Sequence, residues 1–352
     1  MPTDTAPSSD RRRRPVGGGI AGALRRGARS FVGSARLNAS RLTSPLYLGA
    51  LGVIIVFAYL GSGNPTSFFA LSLVLSSIYI TLALAWDFSS GMTGYLNFGL
   101  PFFFGVGALV TGQLYATDSH LTPSSLAFFS FGVGLLGGFL FSLPTLRLRG
   151  PYFSLLSFLL PLIGADFILA FWTQLGLRTQ GYYGLPFLGA TYGDELVLLS
   201  AANVAILTTF FLLRESHFGL VLRGIRDDED ALGSQGIRTF PYKVVAFTLA
   251  SGVVAFSGAT YAMVYTFAGV DAFGFAFILF PILIVIVGGT GELFGSIFAG
   301  YVVILLYQYL FPTFSDLTLI IFASAAILLV LFIPHGLVRP LRAFIRFMRT
   351  GE

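Results

Sequence analysis

The chain has 352 residues, of which 55% are hydrophobic and only 11% charged, against about 25% charged in an ordinary soluble domain. That ratio excludes a soluble globular protein, and the prior of about one domain per 150 residues, which assumes water around each domain, does not apply. Cysteine is absent, so disulfides, cysteine-ligated zinc, iron–sulfur clusters and thiol catalysis are excluded together.

Residues 1–44 are rich in Arg, Gly, Ser and Ala with few large apolar side chains, the composition of a basic and mostly disordered tail. From Leu46 to Leu213, 168 residues, only eight acids and bases occur: Asp87, Asp118, Arg147, Arg149, Asp166, Arg178, Asp194 and Glu195. A helix rises 1.5 Å per residue and a bilayer core is about 30 Å thick, so roughly 20 apolar residues make one crossing. Ten apolar stretches meet or approach that length: 46–60, 66–86, 95–116, 124–146, 151–172, 196–213, 243–266, 275–289, 294–312 and 317–333. The shortest, 46–60 and 275–289, read either as tilted crossings or as re-entrant half-helices, which need protein or a cavity over their backbone. The fold class is therefore an all-α polytopic bundle of about ten transmembrane helices, spanning 45–338 between the tail 1–44 and a second basic tail, 339–352.

The basic residues orient this bundle, because Lys and Arg concentrate in cytoplasmic loops. With the amino terminus inside, the cytoplasmic segments collect nine Arg before Leu46, then Arg147 and Arg149. They also collect Arg214, Arg223, Arg226, Arg238 and Lys243, and finally Arg339, Arg342, Arg346 and Arg349. Arg178 alone falls outside. Twenty to one requires an even number of crossings, with both termini cytoplasmic in the plasma or inner membrane. It also explains the net charge of +5 by topology and anionic lipid headgroups, with no call for nucleic acid.

No G-x-x-x-x-G-K-[ST] occurs and the single lysine, Lys243, follows "TFPY", so the chain has no P-loop to cradle a nucleotide. His120, His217 and His335 are scattered without a carboxylate cluster, which gives no metal site. No catalytic constellation is evident, and transport is the reading that remains. Asp166, in "PLIGADFILAFW", is the one acid well inside a crossing; at about +2.5–3.5 kcal/mol for Asp at a helix centre, it is a candidate pathway residue.

The longest cytoplasmic connection, 214–242, is unlike the other loops. Gly219 to Leu232 can form a short helix with Leu222, Ile225, Glu229 and Leu232 along one side. Arg223 and Asp227, and Arg226 and Asp230, stand four residues apart, where helical side chains meet. Gly233 and Gly236 can end that helix with positive φ. A short helix held between two crossings can push or be pushed by a docked partner. "GMTG" at Gly91 to Gly94 and "GGTG" at Gly288 to Gly291 resemble each other; their glycines suit either tight helix packing or exposed helix-end amides and carbonyls that could take a zwitterion.

"FGLVLRGIRDDEDALGSQGI", followed by "YKVVAFTLASGVVAFSGATYA", resembles the cytoplasmic loop and next helix of permeases of the branched-chain amino acid (LIV-type) ABC importer family. In chain order, "SGMTGYLNFGLPFFFGVGALV" at 90–110, "LRGPYFSLLSF" at 148–158, "GYYGLP" at 181–186, "VGGTGELFGSIFAGYVV" at 287–303 and "IPHGLV" at 333–338 resemble the same family. The chain departs from it at Leu100, where a His is frequent, and at Leu169, where an Arg follows the family's acid three residues on.

The resemblance implies a permease subunit that moves branched-chain or other apolar amino acids inward. It implies a second homologous permease, two cytosolic ABC ATPases that bind ATP and Mg in place of this chain, and an extracytoplasmic solute-binding protein. Arg223 to Leu232 would be the coupling helix, with Arg223, Gly224, Ile225, Arg226, Asp227, Asp228, Glu229, Ala231, Leu232 and Gly233 at the ATPase junction. Gly91, Gly94, Asp166, Gly288, Gly289 and Gly291 are the pathway candidates. Two alternatives stay open: an importer of urea or short amides, and an ion-coupled carrier working without an ATPase.

Overall fold

The computed structural model describes residues 44–63, 66–148, 150–174, 181–314 and 324. The tails and the crossing expected over 317–333 lie outside the described residues. The helices are α1 (Pro45–Ser62), α2 (Phe68–Trp86), α3 (Leu100–Thr117), α4 (Pro123–Thr145), α5 (Pro151–Gln174), α6 (Tyr192–Glu215), α7 (His217–Ser234), α8 (Phe240–Val264), α9 (Ala276–Gly288) and α10 (Leu293–Phe314). Among the described residues, seven are long and apolar enough to cross a membrane: α1, α2 with its extension to Gly91, α3, α4, α6, α8 and α10, the last over Leu293–Leu310. The apolar part of α5, Pro151–Gly164, and the whole of α9 are shorter. At 13 residues α9 rises about 20 Å, so of the two stretches read as short, only 275–289 remains so.

Helix starts follow local chemistry. Ser44, Ser67 and Thr122 each accept a backbone N–H from the first turn through the side-chain oxygen, and Thr191 forms a reciprocal capping box with Asp194. Proline occupies the first turn of α1, α3, α4 and α8, where its missing N–H costs nothing. One expected boundary is wrong. The stretch 95–116 does not begin as a helix, because residues 95–99 form an irregular connection. The Asn97 side chain accepts the Gly99 N–H at 2.9 Å, the Asn97 N–H donates to Ser90 Oγ at 3.0 Å, and Trp86 Nε1 donates to the Asn97 carbonyl at 2.9 Å. Those bonds satisfy the backbone without a helix, and α3 waits for Pro101.

α2 and α8 form the centre, with most of their side chains buried. α3 and α4 pack on α8 through missing side chains: a Cβ on Gly107 would lie 2.0 Å from the Ala255 carbonyl oxygen, and one on Gly258 would lie 1.9 Å from that of Phe104. Such backbone approach substitutes for a hydrophobic driving force, which is absent between helices in lipid. Interhelical hydrogen bonds add to it. Thr81 donates to Asn203 Oδ1 at 2.8 Å and Asn203 Nδ2 to the Ser77 carbonyl at 2.9 Å, joining α2 to α6.

The alternating helices sort the loops to two ends. At one end lie the exits of α2, α4, α6 and α9, the whole of α7 and the start of α8. At the other, β1 (Tyr182–Tyr183) pairs antiparallel with β2 (Phe267–Ala268), Tyr182 opposite Ala268. There the Tyr182 hydroxyl donates to the Gln113 side chain.

Gly258→Ala is expected to cost about 1–3 kcal/mol by overpacking. Gly132→Ala, where nothing lies within 4 Å of the added carbon, is expected to leave thermal unfolding in detergent unchanged.

Candidate functional site: the clamped helix and its cavity

α6 turns into α7 at a single residue. Ser216 ends one helix and caps the next, its hydroxyl donating to the Leu213 carbonyl at 2.7 Å and accepting the Phe218 N–H at 3.2 Å. α7 is longer than the expected 219–232 and is broken inside at Asp228 (φ −162°, ψ 102°). The Asp228 side chain accepts the Ala231 N–H at 2.9 Å, so it starts a second short arm as an N-cap would. That arm ends in a Schellman turn: Gly236, at φ +80°, donates to the Gly233 carbonyl at 2.9 Å, and Ile237 donates to that of Leu232 at 3.1 Å. Gly233, the other expected terminator, keeps negative φ.

The two arms are clamped differently. Arg226, expected to pair along the helix with Asp230, reaches inward. Its Nη1 donates to the Gly91 carbonyl at 2.7 Å and to that of Thr290 at 3.5 Å, and its Nη2 donates to Thr290 Oγ1 at 3.4 Å. The second arm is held by Glu229. Its Oε1 accepts Lys243 Nζ at 2.8 Å and Thr239 Oγ1 at 2.6 Å, and its Oε2 accepts the Tyr95 hydroxyl. Lys243, 2% exposed, also donates to that hydroxyl at 3.1 Å and lies 4.3 Å from the Tyr95 ring centre. Burial alone would raise the Glu229 pKa, but the hydrogen bonds from Lys243, Thr239 and Tyr95 outweigh it and hold the carboxyl below its ordinary 4.5.

The Gly91 to Gly94 and Gly288 to Gly291 segments, separate candidates in the sequence, meet here. α2 ends in a π-helical turn, Asp87–Gly91. The fully buried Asp87 accepts the Gly291 N–H through Oδ1 at 2.6 Å, which fastens the exit of α2 to that of α9. A Cβ on Gly91 would lie 2.0 Å from the same oxygen. Gly94, Gly289 and Gly291 take positive φ, and a Cβ on Gly288 would strike Gly295 of α10 at 2.4 Å. Beside them Arg214 pairs with Glu292 at 3.2 Å. Asp87 and Glu292 were not singled out in the sequence; the signal was an acid four residues before one Gly-rich segment and another immediately after the second.

Of the expected junction residues, Ile225 is buried, Gly224 fits under Leu232, and Arg226 and Glu229 point into the clamp. Arg223, Arg226, Asp227, Asp228, Ala231 and Gly233 are exposed, with Leu220 60% exposed beside them. The inner side borders a cavity of about 1030 Å³. Its walls come from the 93–98 connection, the first half of α5 and α9, including Phe98, Leu155, Phe158, Phe275, Ile278 and Ile282, and its mouth from Arg226 to Asp230. Gly94 is the one pathway candidate among its lining residues. Gly91, Gly288, Gly289 and Gly291 belong to the clamp, and Asp166 stands on the exposed side of α5, near Ile163 and Phe167 at 61% and 70% exposure.

A family model described as branched-chain amino acid transport system, permease component, matches residues 68–333. The chain is 25% identical over 348 residues to the high-affinity branched-chain amino acid transport system permease protein LivM of Salmonella typhimurium, covering 90% of this chain and 80% of that one. LivM of Escherichia coli is 26% identical over 297 residues, with 75% and 68% covered. The nucleoside ABC transporter permease protein NupC of Lactococcus lactis is 27% identical over 187 residues, with 48% and 59% covered. No solved structure matches.

For Glu229 the sign of the pH effect follows from its lowered pKa. The clamp's stabilisation is complete above 4.5, the ordinary value, and is lost as pH falls through the lower folded-state value. Hydrogen exchange across α7 is expected to rise on acidification in that window. Glu229→Ala, which strands the buried Lys243, is expected to cost about 3 kcal/mol, read as a lower unfolding temperature with that acid-dependent step gone.

Proposed function

The chain belongs to the branched-chain amino acid transport permease family as a multi-pass membrane subunit of an ABC importer, and from that premise we propose that it carries branched-chain or similar apolar amino acids into the cytoplasm. The α7 end is the cytoplasmic one. Every described Lys and Arg (Arg147, Arg214, Arg223, Arg226, Arg238 and Lys243) lies at that end, in accord with the bias of cytoplasmic loops. Both termini are then cytoplasmic as well. A permease of this family works with cytosolic ATPases and an external binding protein, here two ABC ATPases carrying ATP and Mg, one solute-binding protein and a second permease related to this one.

One observation carries the reading: α7 is fastened to the bundle through Arg226 and Glu229 while Leu220, Arg223, Asp227 and Asp228 remain exposed. A helix that exposes Leu220, Asp227 and Asp228 calls for a groove with an apolar floor and a basic rim on the docked ATPase. ATP binding favours one permease conformation over another only through such differential contact. The cavity above α7, apolar along its walls and polar at its mouth, suits a zwitterion with an aliphatic side chain leaving toward the cytoplasm. Asp166 belongs to the α5 face on which the second permease packs. A carboxylate among lipid-facing side chains costs about 2.5–3.5 kcal/mol, and a protein neighbour or a water-filled pathway removes that cost.

Leu220→Asp with Asp227→Lys is expected to lower co-purification of the ATPases by about tenfold or more while the protein still inserts. ATP-dependent leucine uptake into proteoliposomes should fall with it; uptake that persists without any ATPase would establish the ion-coupled carrier instead. Asp166→Asn is expected to change leucine affinity or association with the second permease, and a variant identical to wild type in both would remove Asp166 from the pathway.

A further inference from the structure

The Arg226 side chain runs through a slot made by two glycines. A Cβ on Gly94 would lie 3.2 Å from Arg226 Cγ, and one on Gly291 would lie 2.9 Å from Arg226 Nη1; both positions also carry positive φ. At the end of the slot the guanidinium bonds two segments that the chain separates by almost 200 residues. One is the π-helical turn closing α2, bonded at 2.7 Å; the other is the α9–α10 connection, bonded at 3.4 and 3.5 Å. The first contact is short and the other two are loose. Ile278, Leu279 and Ile282 of α9, the helix that Thr290 follows, form one wall of the cavity, and Thr93 and Gly94, just beyond Gly91, form another.

We propose that Arg226 is the positioning residue that carries movement of α7 to the cavity walls, shifting the joined α9 and α2 exits as the docked ATPases change state. The assignment rests on the importer reading above and adds to it a residue that transmits force through its bonds to the α2 and α9 exits. Arginine suits the slot because its planar fork places Nη1 and Nη2 against three acceptors on the two segments, whereas a lysine ammonium is a single point donor that holds fewer of them. Asp87 already ties these loops to each other through the Gly291 N–H, so removing Arg226 frees α7 from a junction that survives.

The test uses the complete complex, with both ATPases, the second permease and the binding protein, reconstituted in proteoliposomes. Co-purification, ATP hydrolysis and leucine uptake are measured on one preparation. Arg226→Gln is expected to keep ATPase co-purification and ATP hydrolysis but to lower leucine taken up per ATP hydrolysed by about tenfold. Arg226→Lys should restore part of that ratio, and Thr290→Val, which deletes one loose contact and keeps the shape, should lower it by about twofold. An unchanged ratio in Arg226→Gln overturns the proposal. Loss of co-purification in a monodisperse Arg226→Gln protein also overturns it, by making Arg226 a docking residue. If Arg226→Gln does not fold, unchanged ratios in both Arg226→Lys and Thr290→Val overturn it. A wild-type complex with no ATP-dependent uptake is a different failure, since it overturns the importer reading on which the proposal stands.

Discussion

The ion pair between Lys243 and Glu229 is the interaction on which the arrangement at the α7 end depends. Lys243 is the single lysine of the chain and is nearly inaccessible, and a buried ammonium is tolerated only when paired and hydrogen-bonded. Glu229 supplies the pair, while Tyr95 and Thr239 saturate the remaining valences. The residues that neutralise the lysine therefore bring together the second arm of α7, the connection into α3 and the first turn of α8. α7 cannot leave the bundle without stranding a charge, which fixes a polar helix against the end of an otherwise apolar structure.

A second constraint is the absence of water around the crossings. With no solvent to satisfy backbone groups and no hydrophobic drive between helices, packing depends on close backbone approach and on a few polar bonds. The glycine contacts between α3, α4 and α8 and the Thr81–Asn203 bond serve that purpose. The functional end obeys the same rule with charged groups: Asp87, Arg214 and Lys243 are all buried, the first two partnered by Gly291 and Glu292 of the α9–α10 connection and the third by Glu229 of α7.

Much of this was legible in the amino-acid sequence for physical reasons. Apolar length gave the crossings, and nine of the ten expected stretches coincide with helices among the described residues. The exception in detail, 95–99, was missed because Tyr95, Leu96 and Phe98 are as apolar as a helix would require, while the side chains of Ser90 and Asn97 replace the helical bonds. The position of α7 was legible from its charge pattern and its closing glycines. Its direction of facing was only half legible. The i, i+4 spacing of Arg226 and Asp230 suggests a pair on the helix surface, and nothing local reveals that two distant glycine segments offer the guanidinium better acceptors. For the same reason the two Gly-rich segments appeared as independent pathway candidates; their meeting is a tertiary fact.

The break at Asp228 gives α7 two outputs. Its first arm is bolted to the exits of α2 and α9, its second to the start of α8 and the entry of α3. The two anchorages share no bond, so a substitution that releases one arm leaves the hydrogen bonds of the other in place.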